Sequence, residues 1–283
     1  DSSQSEAEAS GGRKGNKWER CVSMVACLWY KRFCRRVGRP DGSRLARVLP
    51  RRLHLRGRAV LRVLSCFTDE AGAQDMAAGY YLTALVFHDQ SKELAQYIGP
   101  YLDRLSLEGL ADISFHGVDL IHGHGDYEGI SPEKRKRHLI AFSMFVRTLP
   151  ITYGVFSYER AYTEDRDRLE ARLRKDIIDF VFDRLDDFQL YDQVTIYYDG
   201  GQEAVTASLH GAFDYALARS AAVYKPLSHQ EKRLAQAADY LCTVGLAERR
   251  YERGDVSASY RRFFGTGRNF RQNFLKQMRR KLA

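Results

Sequence analysis

Cysteine is scarce in this sequence, and its spacing excludes two classes of small scaffold. There are five cysteines, an odd number, and no CxxC pair occurs, which argues against a zinc ribbon or a disulfide-stapled fold and favours reduced thiols in a cytoplasmic setting. No apolar run approaches the roughly 20 residues of a membrane span. The absence of GxxxxGK[ST], GxSxG and HExxH motifs argues against a P-loop NTPase, a serine hydrolase and a zincin.

Charge is distributed unevenly along the chain. Residues 1–60 contain 15 Lys and Arg against 5 Asp and Glu, residues 61–248 contain 19 against 29, and residues 249–283 contain 11 against 2. The net charge of +9 therefore comes from two basic ends that flank an acidic body. This pattern suits a carboxylate metal site with a basic rim better than a uniformly basic DNA-coating protein.

Residues 1–60 give little indication of a folded unit. Residues 1–16 are rich in Ser, Gly and Glu, and residues 31–58 are dense in arginine without a helical or alternating period. One interpretation is a basic arm that binds nucleic acid, and the other is a disordered or adventitious extension. We favour the second, because these arginines are not interleaved with aromatic residues. The folded domain is expected over residues 61–283.

From residue 61 onward, strand-like and helix-like patterns alternate, which predicts an α/β domain with a mixed β-sheet flanked by helices and a basic C-terminal helical tail. The first two strands should form an antiparallel hairpin, and Gly99-Pro100 should kink or divide the first helix. The predicted strands are 61–68, 78–88, 112–115, 151–158, 193–198 and 221–224; the predicted helices are 91–105, 132–149, 165–187, 203–217, 228–246 and 269–282.

Five acidic residues stand out by their positions. Asp69 and Glu70 end the first strand, Asp119 follows the short third strand, Asp199 ends the strand at 193–198, and Asp239 lies in the last core helix. Two-metal catalysis needs carboxylates from several elements that converge on ions roughly 3.5–4 Å apart. Oxygen ligands are also what Mg²⁺ and Mn²⁺ prefer. These five residues are the candidate catalytic set, and Asp69, Asp199 and Asp239 are the candidate metal ligands.

Simpler interpretations exist for each acid. An acidic residue after a strand often begins a turn, which would explain Asp199 or the Asp69-Glu70 pair. Asp239 lies among small and apolar neighbours at helical spacing, so it should either pair with an arginine or face a metal. Side chains alternate along a strand, so Asp69 and Glu70 should not both point into one site. We expect Asp69 to be the ligand.

Other residues are candidates for substrate binding. His116 is placed to orient a phosphate or to hydrogen-bond its own loop, and Gln236 lies one turn before Asp239. A zinc site at His122 and His124 is a weaker alternative. The tail mixes arginine with phenylalanine, a pattern typical of nucleic-acid binding, although most of the phenylalanines should pack on the core. The tail candidates are Arg262, Arg268 and Arg271.

Five short motifs occur in order along residues 61–283: Asp69-Glu70-Ala71-Gly72, Phe115–Asp119, Asp199 after a strand, Gln236–Asp239, and Phe263–Arg271. Together they resemble the domain of unknown function 3800 family. Ala71 replaces a common Ser, and Asp119 stands where Glu is frequent. The resemblance implies a ribonuclease H-like fold and a carboxylate metal site, and it implies less about the substrate.

The expected function is divalent-metal-dependent hydrolysis of phosphodiester bonds in DNA or RNA, with Mg²⁺ or Mn²⁺ as the cofactor. One alternative is a non-catalytic nucleic-acid or protein binding module of a defence or mobile-element system. Another is a nucleotidyl-handling enzyme that acts on small substrates in a closed pocket. Convergence of Asp69, Asp199 and Asp239 would favour the nuclease, and an arginine in their midst would favour a binding module.

Overall fold

Within the described residues, the central sheet has five strands in the order β3-β2-β1-β4-β5. The computed structural model describes residues 61–72, 79–159, 166–197, 203–216, 222–224 and 229–283, so the predicted extension at 1–60 lies outside the described residues. β2 is antiparallel to β1 and to β3, whereas β4 is parallel to β1 and to β5. The predicted α/β class with a mixed sheet is confirmed. The strands are β1 (Val63–Ala71), β2 (Tyr80–Asp89), β3 (Ile151–Glu159), β4 (Gln193–Tyr197) and β5 (Ala222–Tyr224).

Helices cover both faces of the sheet and bury two separate hydrophobic cores. The helices are α1 (Ala95–Leu107), α2 (Gly117–His122), α3 (Pro132–Thr148), α4 (Arg166–Asp183), α5 (Leu185–Phe188), α6 (Glu203–Ala216), α7 (His229–Arg253), α8 (Ala258–Phe264), α9 (Gly267–Phe270) and α10 (Lys276–Met278). α4 and α6 cover one face, and α1, α3, α7 and the C-terminal helices cover the other. No helix in the described part of the chain is long and apolar enough to cross a membrane.

The predicted hairpin of β1 and β2 is confirmed, but β1 is longer than expected. Asp69 and Glu70 pair with Ala84 and Thr83 inside the sheet, so they belong to the strand and do not begin a turn. Along β1, Phe67 faces the core under α7 and Cys66 faces the core under α4 and α6. By alternation Asp69 points towards α7, and Glu70 points towards the opposite face.

Small residues let α7 lie close to the sheet. Ala238 and Cys242 are fully buried, and the Cys242 thiol donates a hydrogen bond to the backbone carbonyl of Asp69 at 3.2 Å. A Cβ atom on Gly245 would lie 2.8 Å from a methyl carbon of Leu82 in β2. Larger side chains at these positions would hold the helix farther from β1. The small residues of α7 therefore bring Asp239, which directly follows Ala238, towards Asp69.

The strand predicted at 112–115 is wrong. Residues 112–115 form no strand, because Asp112 binds Arg233 and Phe115 stacks on Phe142 at 4.4 Å instead of pairing with a neighbouring strand. As a result, Asp119 does not follow a strand but lies in the first turn of α2. α1 continues through Pro100 without division.

The C-terminal tail is helical and exposes most of its basic residues, but it is not the single helix predicted over 269–282. α9 and α10 are separated by a π-helical turn, Arg271–Leu275, and a 3₁₀ turn follows at Arg279–Lys281. The prediction that the tail phenylalanines pack on the core is confirmed. The buried ones are Phe263, Phe264, Phe270 and Phe274.

Two helical glycines offer a matched test of the close approach of α7. Gly211 in α6 is exposed, and an added Cβ there would meet nothing within 4 Å. We expect Gly211→Ala to raise the free energy of unfolding by about 0.5–1 kcal/mol, because alanine favours helix. Gly245→Ala should instead lower it by about 1 kcal/mol or more through overpacking against Leu82. Urea denaturation measures both, and equal gains would contradict the close approach.

Candidate functional site

Asp239 is held in place by several contacts among the described residues. The backbone N–H of Gly117 lies 3.2 Å from each of its two carboxylate oxygens. The Thr243 hydroxyl, one turn later in α7, donates to Oδ1 at 3.2 Å, and Nδ1 of His116 lies 3.4 Å from Oδ2. The Asp239 side chain is 17% exposed and that of His116 is 70% exposed. Asp239 is thus fixed in orientation, with a histidine on its solvent side.

The start of α2 is shaped to meet this carboxylate. Gly117 must lack a side chain, because a Cβ atom would lie 1.8 Å from the Thr243 hydroxyl oxygen and 3.0 Å from Oδ1 of Asp239. The other end of α2 is held by Arg135, a buried side chain of α3 that donates to the carbonyls of Leu120 at 2.7 Å and Ile121 at 3.0 Å. These contacts satisfy carbonyls that a short helix leaves open.

Asp69 and Asp239 are brought together from β1 and α7. Burial first, and then the charge of Asp239, raise the pKa of Asp69 to about 7. Burial likewise raises the pKa of Asp239 to about 7, although the hydrogen bonds from Gly117 and Thr243 act in the opposite direction. Asp69 and Asp239 are therefore placed so that the charge of Asp239 disfavours the ionisation of Asp69.

Asp119 lies close to the same point. It is half-buried in the first turn of α2, and its charge also raises the pKa of Asp239. A Cβ atom on Gly125 would lie 3.0 Å from its Oδ2, so a glycine leaves room for this carboxylate as well. Asp119 reaches the neighbourhood of Asp239 from a helix, and not from the strand end that the sequence indicated.

The structure separates Glu70 and Gln236 from this pair. Glu70 points to the opposite face of the sheet from Asp69, although its charge still contributes to raising the pKa of Asp69. The Gln236 side chain accepts a hydrogen bond from Arg233 at 3.1 Å. That arginine is bound to Asp112 at 2.5 Å and not to Asp239. Gln236 therefore belongs to a neighbouring polar contact on α7.

The remaining candidates divide into two groups. Asp199 lies outside the described residues; the parallel pairing of β1 with β4 is described as far as Phe67 and Tyr197, two residues before it. The tail candidates Arg262, Arg268 and Arg271 are all exposed, which leaves their guanidinium groups accessible to a ligand.

The donor chemistry of the pair fits a divalent cation. Carboxylate oxygens are suitable ligands for Mg²⁺ and Mn²⁺, and among the described residues no lysine or arginine offsets the charge of Asp69 or Asp239. The described residues contain no group of three or more His, Cys, Asp or Glu side chains arranged to hold a metal. The rings of His122 and His124 stack with their centroids 6.0 Å apart, and the described residues bring no third metal ligand to them. Within the described residues, Asp69 and Asp239 are therefore two candidate ligands, fewer than a complete metal site needs.

Sequence reasoning missed two residues that contact Asp239. Thr243 follows Asp239 by four residues, so helical spacing alone could have indicated that its hydroxyl reaches the carboxylate. Gly117 could not have been found in this way, because it is separated from Asp239 by 122 residues. Its role depends on the packing of α2 against α7.

The contact between Gly117 and Thr243 can be tested with a double-mutant cycle. Gly117→Ala should lower the free energy of unfolding by about 2 kcal/mol or more, because its Cβ would overlap the Thr243 hydroxyl. Thr243→Ala should cost about 1 kcal/mol through the lost hydrogen bond. The double variant should lose less free energy of unfolding than the two single variants lose in sum. Strict additivity in urea denaturation would contradict the contact.

The pH dependence of stability tests the carboxyl pair. Because both pKa values are raised to about 7, the folded chain keeps protons that the unfolded chain releases above about pH 4. The contribution of these groups to the free energy of unfolding is therefore present below about pH 4 and is lost as pH rises towards 7. Asp239→Asn removes the charge and keeps an oxygen that accepts hydrogen bonds.

We expect Asp239→Asn to be more stable than the parent chain near pH 8 in metal-free buffer, with the difference vanishing near pH 4. Asp103→Asn is the control, since Asp103 is exposed on α1. Urea denaturation across this pH range measures the effect. If the variant lost stability equally at every pH, the folded structure would not disfavour the charge of Asp239.

Comparison with known proteins does not identify a function for this site. No family model matches the chain, and neither the curated proteins nor the solved structures include a detectable match. The resemblance to the domain of unknown function 3800 family thus stays a prediction from five short motifs. What the chain does must be inferred from Asp69, Asp239 and the residues that hold them.

Proposed function

We propose that this chain is a divalent-metal-dependent phosphodiesterase that acts on nucleic acid, with Mg²⁺ or Mn²⁺ as the cofactor. The observation that carries the proposal is the meeting of Asp69 and Asp239, two carboxyl groups with raised pKa values and no lysine or arginine to offset them among the described residues. Such an arrangement costs stability in the absence of a ligand, and a cation would relieve the repulsion. Perturbed carboxyl groups of this kind are typical of functional sites.

In this proposal, Asp69 on the sheet and Asp239 on α7 would hold the cation. The Gly117 N–H and the Thr243 hydroxyl keep Asp239 in one orientation. The charge of Asp119 also acts on Asp239, so Asp119 would add to the negative potential that attracts a cation. Asp199 is retained as a ligand predicted from the sequence. Bound Mg²⁺ or Mn²⁺ would activate a water molecule and stabilise the leaving oxygen of the phosphodiester.

Exposed groups among the described residues suit a polyanionic substrate. His116 lies on the solvent side of Asp239 and is 70% exposed, so its ring can donate a hydrogen bond to a phosphate oxygen. Arg262, Arg268 and Arg271 project from the basic tail, where they can contact phosphates of a longer strand. In this proposal, the acidic body of the chain carries out the chemistry and the basic C-terminal tail binds the substrate.

The sheet supports a ribonuclease H-like assignment, which we include in the proposal. Three antiparallel strands are followed by two parallel ones, and the central β1 carries Asp69. The alternative, a binding module that has kept the fold without turnover, agrees with the small number of ligands in the described residues. It predicts nucleic-acid binding that needs no cation.

Metal binding and cleavage should be measured on the same variants. We expect Mn²⁺ to bind the parent chain in calorimetric titrations, and both Asp69→Asn and Asp239→Asn to weaken binding at least about tenfold, since each removes a charged ligand. Cleavage of labelled single-stranded and duplex DNA and RNA should require Mg²⁺ or Mn²⁺ and stop on chelation by EDTA. Asp103→Asn is again the matched control.

Each outcome separates the two functions. Loss of cation binding and of cleavage in both variants supports the phosphodiesterase. Nucleic-acid binding without cleavage and without a need for cations supports the binding module. Full cation binding and cleavage in Asp69→Asn and Asp239→Asn would reject the site altogether.

A further inference from the structure

A groove of about 300 Å³ lies between α3 and the C-terminal helices, and no carboxylate of the candidate site lines it. One wall is a stripe on α3 formed by Lys136, Ile140, Met144 and Arg147. These residues recur at intervals of three or four, so they share one helical face. The stripe spans about 16 Å, or three turns of helix. The groove is thus long enough to receive a short helical segment.

The apolar part of the groove is open to solvent at its rim. Ile140 and Met144 are each 39% exposed, on a helix whose other apolar side chains are mostly buried. Phe264 and Phe274 form part of the lining but are only 2% and 6% exposed. Their ring faces are thus turned inward and offer no surface on which a nucleic-acid base could stack. The accessible apolar surface is aliphatic and suits apolar side chains of a protein.

The polar part of the groove is positive. Among the described residues its lining includes Lys136 and Arg147 but neither aspartate nor glutamate. Arg147 donates to the Ser143 hydroxyl at 3.2 Å and to the backbone carbonyl of Asn273. These neutral acceptors hold the side chain in place and leave its charge uncompensated. Within the described part of the chain, neither Lys136 nor Arg147 forms an ion pair with a carboxylate.

We propose that this groove docks an acidic, amphipathic segment of a partner protein. Apolar side chains of the segment would cover Ile140 and Met144, and its carboxylates would lie against Lys136 and Arg147. Charge complementarity favours an acidic partner, and a three-turn helix laid in a groove is a recurrent mode of peptide recognition. The inference is independent of the proposed nuclease, because none of these four residues belongs to that site.

The test begins with a phage-displayed library of random 16-residue peptides, selected on the full chain and counter-selected on Met144→Glu. The expected peptides carry net negative charge and apolar residues three or four positions apart. A selected peptide is then labelled with fluorescein, and its binding is followed by fluorescence anisotropy. Met144→Glu should weaken binding at least about tenfold and Lys136→Glu about fivefold, the latter less at high salt.

Two variants serve as controls. Leu107→Glu, at an 88% exposed position of α1 outside the groove, and Asp239→Asn in the candidate site should both bind the peptide as the parent does. The proposal is overturned if selection yields neutral or basic peptides, or if Met144→Glu binds as tightly as the parent. It is also overturned if Met144→Glu weakens the binding of oligo(dT) as much as that of the peptide, which would indicate a nucleic-acid surface. A parent dimer that Met144→Glu dissociates in light scattering would assign the groove to a second copy.

Discussion

Helix α7 lies close to β1 and β2 because Ala238, Cys242 and Gly245 are small. Because the helix is so close, the charge of Asp239 on α7 acts on the carboxyl group of Asp69 on β1. This close packing also leaves no space at Gly117, where the start of α2 fits between Thr243 and Asp239. The position of α2, and with it that of His116 and Asp119, follows from how closely the last long helix packs on the sheet.

The same packing creates an electrostatic cost. Two carboxyl groups lie in a partly dehydrated space, and the described surroundings supply hydrogen bonds from Gly117 and Thr243 and a histidine, but no permanent positive charge. Elsewhere the fold offsets similar charges directly, as where Arg233 binds Asp112 at 2.5 Å. Asp112 is thus neutralised by an arginine and, within the described residues, Asp239 is not, and this contrast distinguishes Asp239 from an ordinary buried acid.

Patterns local in the sequence were predictable, and contacts between distant segments were not. The hairpin of β1 and β2, the Ser131 cap that begins α3 and the alternation that separates Asp69 from Glu70 follow from neighbouring residues. α2 has only six residues, too few to be stable alone. It exists because Arg135 and Asp239 hold its two ends. The strand expected at 112–115 does not form because its residues are held by distant partners. Asp112 binds Arg233 and Phe115 stacks on Phe142, and neither contact needs a neighbouring strand.

The contact between Cys242 and the backbone of Asp69 joins residues 173 positions apart. A ribosome must therefore synthesise nearly the whole domain before β1 can meet the helix that completes the site. Until then, the two carboxylates lie in separate, solvated segments and do not repel each other. The loop closed by this contact is long, so its formation should come late in folding and be slow. The nascent chain would thus lack its proposed cation-binding centre until α7 has docked on the sheet.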